Sequence, residues 1–249
     1  MAVETNISKG ICVLSFTHTI DEPLRTEFES DLSSDEKARA MRFAFDRDRI
    51  SFIIARGMLR HLLGQILQIS TSAIRFDYGK AGKPALHESM PSSGLEFNAS
   101  HSGNLIALAF AQGHCVGVDV EQIRPMADLE EIARQHFSPD EFAELSKLPQ
   151  AERSPAFFKS WVQKEAIAKG AGLGLSLPLS QIVLPNSKSP SKGIVLGNLP
   201  DGENQSWNLT DLELPGGFVG AVAFDQSPTQ VFHQHFLSPA LCLAQAGML

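Results

Sequence analysis

The chain has 249 residues, and its 21 lysines and arginines against 28 aspartates and glutamates give a formal net charge of −7 at pH 7. With 43% hydrophobic residues it can bury a core, which excludes a largely disordered chain, and its length allows one large domain or two small ones. The negative charge argues against a protein that holds nucleic acid through bulk charge, but it leaves room for a local basic pocket.

The cysteines and the N-terminal residues bear on the compartment. Cys12, Cys115 and Cys242 are far apart and form no CxxC motif, so the sequence predicts neither a disulfide framework nor a zinc site. The first ten residues lack the apolar core of a signal peptide, and no stretch approaches 18 uninterrupted apolar residues. We therefore expect a cytoplasmic protein that does not bind a membrane.

Strand and helix signals alternate along the chain. Short runs of β-branched and aromatic residues predict strands, and apolar residues at spacings of three and four predict helices. The predicted strands cover residues 10–16, 95–97, 105–109, 116–120, 193–196, 206–214 and 218–224. The predicted helices cover a charged segment with N-cap candidates at residues 33–36, and residues 49–69, 129–135, 139–148 and 155–170. The tail after Ser227 has no clear period.

The order of strand, long helix and strands occurs twice, once before about residue 112 and once after it. We therefore expect an α+β fold of two similar half-size units, residues 1–112 and 113–226, followed by a tail over residues 227–249. Two turns, Asn98–Asn104 and Gln112-Gly113, separate the three central strands, for which a meander is the simplest arrangement.

Two segments place positive charge where a ligand could bind. The predicted helix over residues 49–69 carries Arg49, Arg56 and Arg60 on its polar side. The segment 79–84 is a turn by its glycine and proline content, and its backbone can approach a ligand closely. In an acidic chain, Arg56 and the lysines of this turn suit a polyanionic small molecule, although a solvated surface is the ordinary explanation.

Two acidic residues share one face of the predicted strand over residues 116–120. The valines alternate with Gly117, Asp119 and Glu121, so the two-residue period puts both carboxylates on the same side. Neighbouring carboxylates repel each other unless a cation lies between them, and oxygen ligands suit Mg²⁺ or Mn²⁺. The same pattern is also that of an ordinary solvated strand face.

A helical stripe and a polar segment complete the candidate chemistry. Trp161, Glu165 and Lys169 follow at four-residue spacing, so Glu165 can complete a metal shell or act as a base, and Lys169 can neutralise phosphate charge. The alternative is an exposed salt bridge between Glu165 and Lys169. Ser100 and His101 can donate hydrogen bonds to phosphate. The chain has no GxSxG motif, no P-loop and no GxGxxG after a strand.

Four motifs, in this order, resemble the surfactin-synthetase type of 4′-phosphopantetheinyl transferase. They are GKP at residues 82–84, FNASHS at 97–102, VGVDVE at 116–121 and FFKSWVQKEAIAKGAGLGLSLPL at 157–179. The SSDEKARAMRF lead-in from Ser33 and the FIIARGMLR helix also fit, and the resemblance covers about residues 33–180. It implies a pseudo-twofold fold of two α+β halves, with coenzyme A and Mg²⁺ in the cleft between them.

The resemblance also implies roles for particular residues. The implied metal ligands are Asp119, Glu121 and Glu165, with Glu165 also as the base and Lys169 as the lysine near the phosphates. The implied contacts with coenzyme A are Lys83, Ser100 and His101, with Arg56 at the position that reaches the 3′-phosphate in some members. Arg39 and Arg42 match a variable basic lead-in.

The implied reaction moves 4′-phosphopantetheine from coenzyme A to a serine hydroxyl of an apo acyl or peptidyl carrier protein and releases adenosine 3′,5′-bisphosphate. The nucleophile then belongs to the partner, and a cleft within one chain suits a monomer. Two alternatives are a Mg²⁺-dependent hydrolase of a nucleotide pyrophosphate and a non-catalytic module that binds coenzyme A or a carrier. The joint presence of the three acids and Lys169 argues against the non-catalytic module.

Overall fold

Many of the helices and strands form where capping residues and apolar periods predict them. The structure is a computed structural model, and it describes residues 6–18, 22–91, 94–174, 177–184, 194–196, 205–225 and 230–247. The strands are β1 Ile11–Thr17, β2 Phe76–Tyr78, β3 Pro84–Leu86, β4 Leu95–Ser102, β5 Leu105–Gln112, β6 Val116–Gln122, β7 Ile194–Leu196, β8 Gln205–Asp211, β9 Phe218–Asp225 and β10 Val231–Phe236. The helices are α1 Glu22–Asp31, α2 Ser34–Ala40, α3 Asp46–Leu67, α4 Leu129–His136, α5 Pro139–Lys147, α6 Gln150–Gly170 and α7 Pro239–Gly247.

Two four-stranded sheets share the arrangement of three of their strands. The first has the strand order β10-β1-β5-β4 and the second has the order β6-β9-β8-β7. In the first sheet β5 runs antiparallel to β1 and β4, and in the second sheet β9 runs antiparallel to β6 and β8. Strand β5 thus lies between β1 and β4 in the first sheet, and β9 lies between β6 and β8 in the second. In both sheets the central strand of these three comes last along the chain. This repetition confirms the predicted α+β fold of two similar halves.

The alternation of side chains along the strands builds the layers. On β5, Ile106 and Leu108 join the core that contains α3, whereas Ala107 and Ala109 face the second sheet. The valines of β6 belong to this layer between the sheets. The opposite face of the second sheet packs against α6. The order of layers is therefore α3, first sheet, second sheet and α6.

Helix α3 lies mainly inside the protein. It is long and apolar enough to span a membrane, but 72% of its apolar 18-residue stretch is buried inside the protein. Burial extends to two of the three arginines predicted on its polar side, because Arg56 and Arg60 are only 8% and 1% exposed. Both side chains face Glu36 of α2, so this polar side of α3 is covered instead of solvated.

A buried ion pair between α2 and α3 makes this burial feasible. Ser33, one of the four N-cap candidates, forms a capping box with Glu36 at the start of α2. Arg60 Nε donates to Glu36 Oε2 at 2.8 Å, and Arg60 Nη1 donates to the carbonyls of Thr71 and Ile74. The Arg60 guanidinium and Oε2 of Glu36 are both hydrogen-bonded, which offsets part of the cost of their desolvation.

Other predictions about the central segments need correction. Strand β4 continues through Ser102, so the segment predicted as the turn Asn98–Asn104 is mostly strand. The meander is also wrong, because β6 leaves β5 and begins the second sheet. Helix α6 begins at Gln150, five residues before the predicted start at Pro155.

The chain also contains elements that the sequence did not predict. They are α1, the two-stranded hairpin of β2 and β3, β10 and α7. Strand β10 pairs in parallel with β1, so part of the predicted tail completes the first sheet. The unit boundaries at residues 112 and 226 stay predictions, and Gly193, in the predicted strand 193–196, lies outside the described residues.

Two histidines of β10 make the stability of this strand sensitive to pH. The Ser15 hydroxyl lies 2.9 Å from His233 Nε2 and 3.0 Å from His235 Nδ1. Burial, helped by the neighbouring His235, lowers the pKa of His233 from 6.5 to about 4. Between these values the unfolded chain binds more protons than the folded chain, so stability falls as the pH falls through this window.

We therefore expect the free energy of unfolding to decrease from pH 7 to pH 5, and to decrease less in the variant His233→Gln. Urea unfolding of both proteins across this range measures the difference. Parallel curves for the two proteins would show that His233 is not a source of the acid sensitivity.

Candidate active site

A polar seam joins the edge strands β4 and β6, where the two halves meet. Alternate side chains of β4 accept hydrogen bonds from alternate backbone amides of β6. The pairs are Asn98 Oδ1 with Val118 N at 3.0 Å, Ser100 Oγ with Val120 N at 3.4 Å, and Ser102 Oγ with Gln122 N at 3.1 Å. Each pair spans 20 residues, so the seam fixes one register between the halves.

The two serines of the seam also hold the acidic face of β6. Ser100 Oγ donates to Asp119 Oδ1 at 2.7 Å, and Ser102 Oγ donates to Glu121 Oε2 at 2.5 Å. Asp119 is 4% exposed, and its Oδ2 is buried with no hydrogen-bond partner among the described residues. A buried carboxylate oxygen without a donor is costly and indicates a site for a cation or another donor.

Close packing of α6 on β6 brings Glu165 and Lys169 to this face. A side chain at Gly117 would overlap the carbonyl oxygen of Ala166 and the amide nitrogen of Gly170, so the strand and the helix approach backbone to backbone. Lys169 Nζ then reaches Asp119 Oδ1 at 2.6 Å and Ser100 Oγ at 3.0 Å. The ion pair of Lys169 is therefore with β6, across the helix–strand contact.

Glu165 lies within electrostatic range of both acids of β6. Partial burial raises the pKa of Glu165, the negative charges of Asp119 and Glu121 raise it further, and Lys169 opposes the shift. Among the described residues, no group of three or more His, Cys, Asp or Glu side chains converges into a set ready to hold a metal. Asp119 pairs with Lys169, and Glu121 accepts from Ser102 and from Arg124 at 3.2 Å.

A cleft of about 290 Å³ leads to Lys169 from the first half. Four residues predicted to contact coenzyme A or its phosphates line it, namely Arg56, Lys83, His101 and Lys169, and Arg39 of the basic lead-in lines it as well. Arg42 lies in an adjoining hollow with Arg39 and Phe43. The cleft therefore concentrates positive charge in a chain that is acidic as a whole.

Arg56 brings to this cleft a buried donor that no described residue uses. Its guanidinium lies over the rings of Phe76, at 4.9 Å, and Tyr78, at 5.9 Å, and its Nε is 3.5 Å from Glu36 Oε1. Its Nη1 is buried and has no hydrogen-bond partner within the described part of the chain. Such a nitrogen is suited to an anionic ligand oxygen.

The other three residues predicted to contact coenzyme A make different interactions in the structure. Lys83 Nζ donates to the carbonyls of Val116 and Gly170, at 3.2 and 3.1 Å, so it ties the 79–84 turn to the second half. Ser100 is buried in the seam and does not line the cleft. Burial, and then the charge of Lys169, lower the pKa of His101, so its imidazole is neutral at neutral pH and has one N–H to donate.

Comparison with known proteins decides the family. The family models described as "4'-phosphopantetheinyl transferase, N-terminal" and "4'-phosphopantetheinyl transferase superfamily" match residues 22–113 and 115–223. The 4'-phosphopantetheinyl transferase HetI of Nostoc is 38% identical over 79% of this chain and 80% of its own length. The chain belongs to the 4′-phosphopantetheinyl transferase superfamily.

Other relatives agree with this assignment. The putative 4'-phosphopantetheinyl transferase slr0495 of Synechocystis is 32% identical over 78% of this chain and 77% of its own length. The 4'-phosphopantetheinyl transferase Sfp of Bacillus subtilis is 29% identical over 88% of this chain and 97% of its own length. These matches confirm the predicted resemblance, and the chain is an enzyme that transfers 4′-phosphopantetheine to carrier proteins.

Lys164 had no predicted role, but it holds helix α6 in place on the side away from the candidate site. Lys164 is fully buried; its Nζ pairs with Glu141 at 2.8 Å and donates to the carbonyls of Leu179 and Ile182. Burial lowers the pKa of Lys164 and Glu141 opposes the shift. A lysine between the apolar residues of α6 was the sequence signal for this role.

The backbone contact at Gly117 gives a direct test of the packing that forms the site. We expect Gly117→Ala to lower the free energy of unfolding by about 1–3 kcal/mol, because α6 must move away from β6. Denaturant unfolding measures the loss. Gly216→Ala is the matched control, since its added methyl meets nothing within 4 Å, and we expect a change within about 0.5 kcal/mol. Equal effects of the two substitutions would contradict this account.

Proposed function

We propose that the transferase binds coenzyme A in the cationic cleft and uses a divalent cation held by Asp119, Glu121 and Glu165. The observation that carries the proposal is the position of Lys169, which lines the cleft and also contacts Asp119. This one side chain places the anion-binding cleft and the acidic face of β6 next to each other. A pyrophosphate bound at Lys169 would therefore lie beside the three carboxylates.

The cleft suits the charges of coenzyme A. Arg39 and Arg56 line it at the α2–α3 side, and His101 and Lys169 line it at the seam. We assign the 3′-phosphate to Arg56, whose Nη1 has an unused proton, and the pyrophosphate to Lys169 and His101. Lys83 supports the wall of the cleft through its two bonds to backbone carbonyls, and its predicted contact with coenzyme A stays part of this proposal.

The acidic face suits Mg²⁺, and Mn²⁺ as a substitute. Carboxylate oxygens are the ligands these ions prefer, and Asp119 offers a buried Oδ2 that lacks a donor within the described residues. The like charges that raise the pKa of Glu165 would be neutralised by a cation. When bound, the cation would offset charge on the pyrophosphate and its leaving group.

In the proposed reaction, Glu165 and Lys169 have separate roles, as a base and as a hydrogen-bond donor. The carrier serine Oγ attacks the phosphorus that bears pantetheine, and the bond from this phosphorus to the bridging oxygen breaks. Glu165 accepts the serine proton, directly or through a water, and Lys169 donates hydrogen bonds to the phosphate of the departing adenosine 3′,5′-bisphosphate. Positioning and charge neutralisation supply the rate, and the serine comes from the carrier.

We further propose that the enzyme acts as a cytoplasmic monomer, without nucleic acid or membrane. The candidate site draws on β4 and β6 of a single chain, so a second copy is not needed to build it. All three cysteines are free, which suits a reducing compartment. Burial of α3 accounts for the apolar character of that helix.

The assignment of Arg56 is testable with dephospho-coenzyme A, which lacks only the 3′-phosphate. We expect the native protein to bind coenzyme A about 10–150-fold more tightly than the dephospho form, since a hydrogen bond to a charged group contributes about 1.5–3 kcal/mol. In Arg56→Gln the two affinities should become nearly equal. Arg49→Gln, on the same helix, should keep the difference. Calorimetric titration measures all the affinities, and an undiminished difference in Arg56→Gln would place the 3′-phosphate elsewhere.

The role of Glu165 is testable through the rate of transfer. With coenzyme A, Mg²⁺ and carrier saturating, we expect Glu165→Gln to slow transfer by about 10²–10⁴-fold, because the amide cannot accept the serine proton. Glu152→Gln, an exposed position on the same helix, should keep the native rate. Initial rates from the mass gain of the carrier measure the effect. A native rate for Glu165→Gln when the chemical step is limiting would exclude the base role.

A further inference from the structure

The structure assigns a positioning role to Ser102, which holds the Glu121 carboxylate in the orientation in which it binds the divalent cation. This inference rests on the proposed metal site and concerns a residue outside its ligand set. Ser102 belongs to the first half of the chain, whereas the carboxylate it contacts belongs to the second. The metal site would then depend on a hydroxyl supplied across the seam.

The hydrogen bonds of Ser102 fix the direction of its single proton. A serine hydroxyl has one proton and two acceptor lone pairs. Ser102 Oγ accepts from Gln122 N at 3.1 Å, so its proton is available for Glu121 Oε2 at 2.5 Å. The Ser102 backbone is in turn held by pairing with Leu105 of β5. Both sheets therefore restrain the Ser102 hydroxyl, and its hydrogen bond in turn restrains the orientation of the Glu121 carboxylate.

The same arrangement occurs two residues earlier, which shows that it follows from the strand period. Ser100 accepts from Val120 N and donates to Asp119 Oδ1. Asn98 contacts the amide of Val118 in the same way, but the residue before that amide is Gly117, which has no carboxylate. Asn98 thus contributes to the seam, and lines the cleft, without contacting an acidic residue, whereas Ser100 and Ser102 contact the acidic residues as well.

Ser102 gives a cleaner test than Ser100, because Lys169 also donates to Ser100. The bond from Gln122 N to Ser102 is exposed, so water can replace the hydroxyl when it is removed. Arg124, the other partner of Glu121, has a side chain that is 52% exposed and contacts it at 3.2 Å. Without Ser102, the orientation of Glu121 would rest on this weaker contact.

The test is the affinity of the full-length protein for Mn²⁺, measured by calorimetry and by the spin-resonance signal of the unbound ion, with and without coenzyme A. Partners that orient metal ligands typically contribute about 10–100-fold to affinity, so we expect Ser102→Ala to bind Mn²⁺ at least roughly tenfold more weakly. Ser102→Thr retains the hydroxyl on a β-branched side chain suited to a strand, and should restore most of the affinity.

Asn98→Ala separates the orientation of the carboxylate from the stability of the seam. We expect it to lower the urea midpoint of unfolding while the folded protein keeps its Mn²⁺ affinity without coenzyme A. A native affinity in Ser102→Ala, or an equal loss in Asn98→Ala and Ser102→Ala, would overturn the role of Ser102. Absence of Mn²⁺ binding by the native protein, with and without coenzyme A, would instead overturn the proposed metal site itself, and this inference with it.

Discussion

The candidate site depends on the way in which two sheet edges meet at β4 and β6. Edge strands present unpaired amides, and here the side chains of one edge satisfy the amides of the other in place of a backbone ladder. Because side chains of a strand alternate, the residues that close the seam recur at every second position of β4. The same period places Asp119 and Glu121 on one side of β6, where the seam serines reach them. One constraint therefore sets both the register of the halves and the orientation of the acids.

The helix α6 turns this seam into a site where charges of both signs meet. Gly117 lets the helix approach β6 at backbone distance, and Lys169 then reaches Asp119 while Glu165 remains beside both acids. Lys164, one position before Glu165, holds the other side of the helix by its bonds to Glu141 and to backbone carbonyls. The catalytic candidates are thus carried by rigid elements, which preserves their geometry.

Features set by local patterns could be predicted from the sequence. The alternation around Asp119 gave the shared acidic face, and the N-cap candidates at residues 33–36 gave the start of one helix. The repeated order of elements gave the two halves, and the ordered motifs gave the family. Each of these features depends on residues close together in the sequence, or on the order in which such short segments follow one another.

Features set by distant partners could not be predicted in this way. The residue types of Asn98–Ser102 are typical of a turn, and only the strand 20 residues later makes them a seam. Arg56 and Arg60 occupy the polar side of an amphipathic pattern, which suggests exposure to solvent. In the fold, both are buried and pair with Glu36 of another helix. The spacing of Glu165 and Lys169 suggested a local salt bridge, whereas the structure pairs Lys169 with β6.

The central claim is that this chain transfers phosphopantetheine to a carrier with the help of a divalent cation. The most direct measurement is the intact mass of several apo carrier proteins after incubation with the enzyme, coenzyme A and Mg²⁺, with and without a chelator. We expect a gain of one phosphopantetheine on the carrier serine that disappears with chelator. Cleavage of coenzyme A without a gain on any carrier would indicate a hydrolase, and binding of coenzyme A with neither outcome would indicate a non-catalytic module. Either result, or a gain that persists in chelator, would contradict the account.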